Sequence, residues 1–163
     1  MVSRIRRIRK NFTKKILILV TAIFFLNSSL YAAGSSNDGP KKLKNYESAK
    51  IKIKKAKKLE KKGKDEKAQK LYKASLKFLL KANEEISEDP DTLNYLGFVS
   101  RKLGKFDDAE VYYLLGLEID PKHKGINEYL GELYVITKRI KKARERLAVL
   151  ENCNCEEYGE LKG

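Results

Sequence analysis

The feature that most restricts how this chain can fold is a pair of landmarks repeated at one spacing. Leu96-Gly97 recurs as Leu130-Gly131, and Ala109 recurs as Ala143, each 34 residues on. Asp120-Pro121 stands between the copies. Two independent landmarks sharing one offset within 163 residues point to stacked supersecondary units. The residue types fit a helix–turn–helix unit. A glycine inside a helix costs about 1 kcal/mol relative to alanine, which is tolerable where a neighbouring helix comes so close that a Cβ would clash. Ala109 and Ala143 suit the same role on the second helix of each unit. Gly104 is placed to end a helix and Asp107-Asp108 to begin the next, where the helix dipole favours acidic side chains. Pro121 is placed to stop it.

The segment from Leu93 to Ala143 resembles the tetratricopeptide repeat (TPR) family. Leu93, Leu96, Gly97, Gly104, Ala109, Tyr113 and Pro121 stand at that family's pattern positions. Leu130, Gly131, Tyr134, Ala143 and Leu147 carry a second, less complete copy. A degenerate earlier copy is read from Gly63, Ala68 and Tyr72, with Ala56 in place of Gly97, Leu59 in place of an aromatic and Lys55 where Leu is expected. Ala68 and Ala109 are 41 residues apart, seven more than the period. Seven residues are close to two helical turns, so the insertion predicts a longer second helix whose face does not rotate. Ala68, Leu71, Tyr72, Ser75, Leu76, Leu79, Leu80, Asn83 and Ile86 keep a helical stripe across it. The fold expected from the resemblance is all-α, a solenoid of about three TPR-like hairpins with a short C-terminal cap. The repeat domain spans 43–161, with units at about 43–87, 90–121 and 124–151 and a tail at 152–163. Between hairpins, the second unit is expected to bury Leu93, Leu96, Val99, Leu103, Tyr112, Tyr113, Leu117 and Ile119. The third is expected to bury Tyr129, Leu130, Leu133, Tyr134, Ile140, Ala143, Leu147 and Leu150.

Residues 1–33 read as an export signal. Seven basic residues between Arg4 and Lys15 are followed by the apolar run Ile16–Leu26, then Asn27-Ser28-Ser29 and the small pair Ala32-Ala33. Eleven residues make about 17 Å of helix, short of the ~20 residues needed to span a bilayer. Cleavage after Ala32 or Ala33 is the expectation, and an uncleaved anchor is the alternative. Residues 34–42 read as a flexible spacer. The expected location is periplasmic or otherwise exported.

Charge is distributed unevenly. The whole chain carries +14; the leader accounts for +7, residues 33–73 for +10 and residues 74–163 for −3. A basic arm is thus joined to a mildly acidic body. Clustered lysines bind phosphates by releasing counterions, but no aromatic-lined groove or groove-reading helix accompanies them, and export argues against nucleic acid. A solvated helix face is the plainer reading, and weak association with an anionic surface is the alternative.

Nothing in the chain assembles into a catalytic set. The one histidine, His123, lies in the loop after Pro121, and there is no Gly-rich phosphate loop or nucleophile elbow. No catalytic residue, metal site or cofactor is expected. The resemblance implies instead a scaffold or adaptor that binds a protein or peptide partner in the bacterial cell envelope through its concave surface. By the family's geometry the groove-facing positions are Asn94, Phe98, Arg101 and Lys102, then Glu128, Glu132, Val135 and Ile136, with Ile53, Lys57 and Lys61 in the first unit. The carboxylate clamp of the chaperone-binding members is not carried over, because Phe98 breaks its pattern. Phe98 is read as an apolar group on a groove wall that a partner covers. Filling of the short groove by the chain's own C-terminal helix or by a second copy is the alternative. Cys153 and Cys155 form a disulfide or thiol pair in these expectations. A metal- or redox-linked accessory role for the pair stays as a further alternative. The tail Cys155-Glu156-Glu157-Tyr158 with Leu161-Lys162 resembles the end of small exported bacterial TPR proteins, which implies a cap docked through Tyr158 and Leu161.

Overall fold

The computed structural model describes residues 41–163, with side chains from Lys44 onward. The expected leader, and the spacer up to residue 40, lie outside the described residues. Seven helices are described: α1 (Lys41–Glu60), α2 (Asp65–Glu85), α3 (Pro90–Lys102), α4 (Phe106–Ile119), α5 (Lys124–Ile136), α6 (Ile140–Leu150) and α7 (Glu156–Lys162). They pair as three antiparallel hairpins, α1–α2, α3–α4 and α5–α6, each packed on the next, and α7 lies against α5 and α6. Among the described residues there is no strand, and no helix is long and apolar enough to cross a membrane. The fold is an all-α solenoid of hairpins.

The three hairpins close on the same turn. Gly63, Gly104 and Lys138 hold a positive φ of 65°, 74° and 61°. In each case the N–H of that residue bonds the carbonyl three residues back, on Glu60, Arg101 and Val135. The following N–H reaches five residues back, to Leu59, Ser100 and Tyr134, at 2.9, 2.9 and 2.7 Å. These paired bonds are a Schellman closure, which satisfies carbonyls that a helix end leaves open. The next helix starts two residues after each. Only the third turn lacks glycine.

The first helices of the second and third hairpins begin alike. Asp89 caps α3 by accepting from the Thr92 N–H at 2.9 Å, with Pro90 in the first turn, where its missing N–H costs nothing. His123, 34 residues later, caps α5 through Nδ1, which accepts from the Ile126 N–H at 3.2 Å. Its Nε2 then donates to Asp91 at 3.1 Å, tying the start of one hairpin to the start of the one before. Asn127 fastens the same loop by donating to the carbonyls of Pro121 and His123.

Glycines mark the closest approaches. A Cβ on Gly97 would collide with the ring of Tyr113 across the hairpin, and one on Gly116 with Ile126 of the following hairpin. At Gly131 the neighbour is Leu161 of α7 rather than a residue of α6. Around these contacts Leu96, Val99, Ala109, Tyr113, Ile126, Leu130 and Leu133 are almost fully buried, and Ala56 fills the Gly97 position of the first hairpin with no exposure.

The structure corrects the sequence expectations in three places. The second helix of the first hairpin is longer, as expected, but so is the first, which precedes the insertion: α1 and α2 have 20 and 21 residues where α3 and α4 have 13 and 14. The arms are antiparallel, so extra turns at the open end need partners on both, and Asn45 donates to Glu85 there at 2.9 Å. Second, Ile119 and Ile140 are 41% and 46% exposed, because each sits at a helix end beyond the reach of the next hairpin. Leu80 and Ile86 of the α2 stripe are also largely exposed, and Ala82 takes the inner position instead. Third, Ile53 is buried between α1 and its neighbours rather than facing the groove.

The turn chemistry generates a test. A side chain at positive φ costs roughly 1–2 kcal/mol, offset in part by the entropy a glycine loses on folding. Lys138→Gly should therefore stabilise the domain by about 0.5–1 kcal/mol, while Gly104→Ala should destabilise it by about 1 kcal/mol. Urea unfolding followed by circular dichroism measures both. Equal effects of the two substitutions would contradict the shared geometry of the turns.

A candidate concave binding site

The first helices of all three hairpins, together with α7, surround one open cavity of about 650 Å3. Lys57 and Glu60 come from α1 and Lys61 from the turn directly after it, Phe98, Arg101 and Lys102 from α3, Glu128, Tyr129 and Glu132 from α5, and Glu156, Glu157 and Glu160 from α7. Residues four apart on one helix share a face. This is why Phe98 and Lys102, and Glu128 and Glu132, enter the site as pairs. The α1 and α3 side is basic, and the α5 and α7 side is acidic.

The floor is aromatic. Phe98 packs edge-on against Tyr72, with ring centres 6.0 Å apart, and tilts against Tyr129 at 5.1 Å. Cations cover the rings. The Lys57 ammonium lies 4.5 Å from the centre of Phe98 and 5.6 Å from that of Tyr129, and the Arg101 guanidinium lies 5.7 and 5.5 Å from the same two. Such contacts are worth about 0.5–2 kcal/mol each, more where water is excluded. Lys57 also donates to the Tyr129 hydroxyl at 3.4 Å. Burial pulls its ammonium below the usual lysine range.

Seven of the eleven residues expected in the groove line this cavity: Phe98, Arg101, Lys102, Glu128 and Glu132, with Lys57 and Lys61. Asn94 does not. It is buried under the start of α5, where its amide nitrogen would stand 2.7 Å from a Cβ on Gly125. Phe98 needs a further correction. It is only 2% exposed, because the chain's own lysines and arginine already cover it, so a partner has no bare ring to shield. Val135 and Ile136 are about half exposed and stand outside the cavity lining. Sequence reading missed Tyr129, which is half-buried with its ring in the cavity wall, and the α7 glutamates. The signal for Tyr129 was available, since it lies three residues before Glu132, on the same face of the helix.

Half of the charge on the basic side is already matched. Arg101 pairs with Glu132, and Lys102 with Glu60 at 3.1 Å, while Glu60 also accepts from the Tyr72 hydroxyl at 2.8 Å. Glu128 is different. It is nine-tenths buried, and among the described residues it makes no hydrogen bond and no ion pair. Burial, reinforced by Glu132, Glu157 and Glu160, pushes its carboxyl up to about 7, with Lys57 opposing. By contrast Glu110, at the junction of α4 with the third hairpin, is half-buried and held below the usual carboxylate range. It accepts from Arg139 at 2.6 Å and from the Tyr134 hydroxyl at 3.0 Å.

At the far end, α7 closes the stack. The sulfurs of Cys153 and Cys155 are bonded in the loop that leads into it, with Cα atoms 5.2 Å apart, and Asn154 between them holds a positive φ of 46°. Leu161 seats on Gly131, and half-buried Tyr158 carries Lys162 over its ring at 5.3 Å. Among the described residues no group of three or more His, Cys, Asp or Glu is placed to hold a metal ion.

Glu128 supplies a pH test. Its carboxyl is raised in the folded state, so the native protein binds more protons than the unfolded chain between about pH 4.5 and 7. Stability from this residue is fully present below that window and is lost as pH rises through it. Glu128→Gln should remove the loss, leaving the domain roughly 2–3 kcal/mol more stable than wild type at pH 8 and little changed at pH 4. Thermal melts of both proteins across this range decide it. Parallel curves would mean that Glu128 is solvated.

The tetratricopeptide repeat family model matches residues 90–123, the span of α3, α4 and the loop to α5. No curated protein matches the chain in sequence. Among solved structures the chain is similar to the first TPR of Spaghetti (RPAP3) bound to an HSP90 peptide, at 21% identity and a TM-score of 0.49, over 72% of this chain and 92% of that one. It is similar to the Arabidopsis OM64 TPR domain, at 17% identity and a TM-score of 0.49, over 72% and 93%. It is also similar to the type III secretion translocator chaperone SycD of Yersinia enterocolitica, at 20% identity and a TM-score of 0.47, over 71% and 84%. The chain therefore carries a tetratricopeptide repeat at residues 90–123, with a hairpin closed by the same turn on either side.

Proposed function

We propose that this protein is an exported, non-enzymatic scaffold that holds a protein or peptide segment against its concave face, in the bacterial cell envelope. The observation that carries the reading is the meeting of α1, α3, α5 and α7 around one 650 Å3 cavity. That size falls within the ~300–1,000 Å3 of ligand-binding clefts, yet the walls are charged rather than apolar. Such walls suit a polar segment of chain better than a small apolar molecule. The lining includes no histidine, serine or cysteine, so it holds none of the nucleophile–base sets built on those residues. The export signal read in residues 1–33 supports the envelope location.

Affinity capture tests the site. Wild-type protein and a Lys61→Ala/Glu157→Ala/Glu160→Ala variant, altered at groups facing the cavity from both sides, are compared on envelope extract at low and high salt. A partner retained by wild type and reduced tenfold or more in the variant is the expected result. A catch identical for both proteins but lost in high salt would place the function on the lysines of the first hairpin instead.

A further inference from the structure

The charges facing the cavity do not cancel once internal pairs are set aside. Arg101 is matched by Glu132 and Lys102 by Glu60. What remains is Lys57 and Lys61 on one side against Glu128, Glu156, Glu157 and Glu160 on the other. Lys57 is moreover engaged with the rings of Phe98 and Tyr129 and with the Tyr129 hydroxyl. The unpaired surplus is therefore anionic and sits on the α5–α7 side. This is opposite in sign to the protein as a whole, which carries +14.

Glu128 is the decisive group. Its side chain is largely buried while its carboxylate opens on the cavity with no internal donor within bonding distance, and a partly desolvated charge without a partner is costly unless something compensates it. The charges it feels are Glu132 from its own helix, Glu157 and Glu160 from α7, and Lys57 from α1, three anions against one cation. Tyr129, the next residue, presents an aromatic ring at the same wall. Lys57 and Arg101 already lie over that ring, so the Glu128 carboxylate is the group left to receive an ammonium or guanidinium.

Building on the concave-face reading above, we infer that the segment held there is basic, and that it places a lysine or arginine side chain against Glu128 while Glu156, Glu157 and Glu160 receive its neighbouring positive charges. The occupant is a stretch of a partner polypeptide. Separate carboxylates lining one wall on two helices match successive side chains of an extended chain better than one small amine. An acidic segment would meet a net surplus of glutamates.

Fluorescence anisotropy with the full chain gives the test. The probes are two labelled nonapeptides of identical length, one alternating lysine with serine and the other alternating glutamate with serine. The lysine peptide is expected to bind, although the protein is itself strongly positive. Binding should weaken at least tenfold in Glu128→Gln and in Glu157→Gln/Glu160→Gln, the second pair being near the surface and not needed for the core. Lys57→Gln, which removes the competing internal cation, should tighten it. Circular dichroism confirms that each variant is folded. Binding of the glutamate peptide alone would overturn the inference while leaving the concave face as the site. Lysine-peptide binding indifferent to both glutamate variants would also overturn it. If neither peptide binds, the basic-segment assignment fails, and the concave-face reading is judged by the capture experiment, which does not depend on ligand charge.

Discussion

The contact on which the second hairpin depends is the ring of Tyr113 lying where Gly97 has no side chain. A helix-interior glycine weakens α3 by about 1 kcal/mol, but it lets a fully buried aromatic cross the hairpin at backbone distance. Because Tyr113 is held there, α4 is fixed close against α3. Gly116, one turn further along α4, then admits Ile126 from the next hairpin. The two glycines act in series, one setting the spacing within a hairpin and the other the spacing between hairpins. The cavity inherits its shape from that spacing, since its walls are the outer faces of α1, α3 and α5.

Burial and charge are settled together in this protein. The core around Phe98 is closed on the concave side by Lys57, Arg101 and Lys102, whose aliphatic stems and cationic heads lie over the rings. Fixing these cations brings Glu60 and Glu132 in as partners and commits most of the basic wall to internal use. The acidic wall has no such sink, because α7 ends the stack and contributes more glutamates. The asymmetry of the cavity thus follows from which wall must also cover an aromatic core.

Much of the fold was legible because the repeat depends on local steric needs that only a few residue types meet. Small residues at helix crossings recur at 34 residues, and glycine takes the positive-φ turn in two of the three hairpins, whatever the surface does. The signal failed where another residue tolerates the strain. Lys138 takes the turn position without being glycine, and His123 takes the place of a capping aspartate by offering a ring nitrogen. Gly116 was legible and overlooked, since a glycine within an apolar helix is itself a sign of close approach. The site was read less well. Positions on the concave face follow from the geometry of the family the chain resembles, which is why Arg101, Lys102, Glu128 and Glu132 could be placed there. Whether a side chain on that face is covered depends on flexible lysines from another hairpin, so neither the burial of Phe98 nor the exclusion of Asn94 could be read from spacing.

The lengthened first hairpin has a consequence for how such a chain can change. Its extra turns occur on both arms, seven residues each, and meet at the open end, where Tyr46 reaches across to Tyr95. A single inserted residue would rotate everything beyond it by about 100° and swing Ala49, Leu79 and Ala82 out of the interior. Growth at this end is therefore quantised: a matched pair of double turns keeps both buried stripes in phase, and anything smaller or one-sided does not. The hairpin behaves like a ratchet with a coarse tooth, tolerant of paired steps and intolerant of slippage between them.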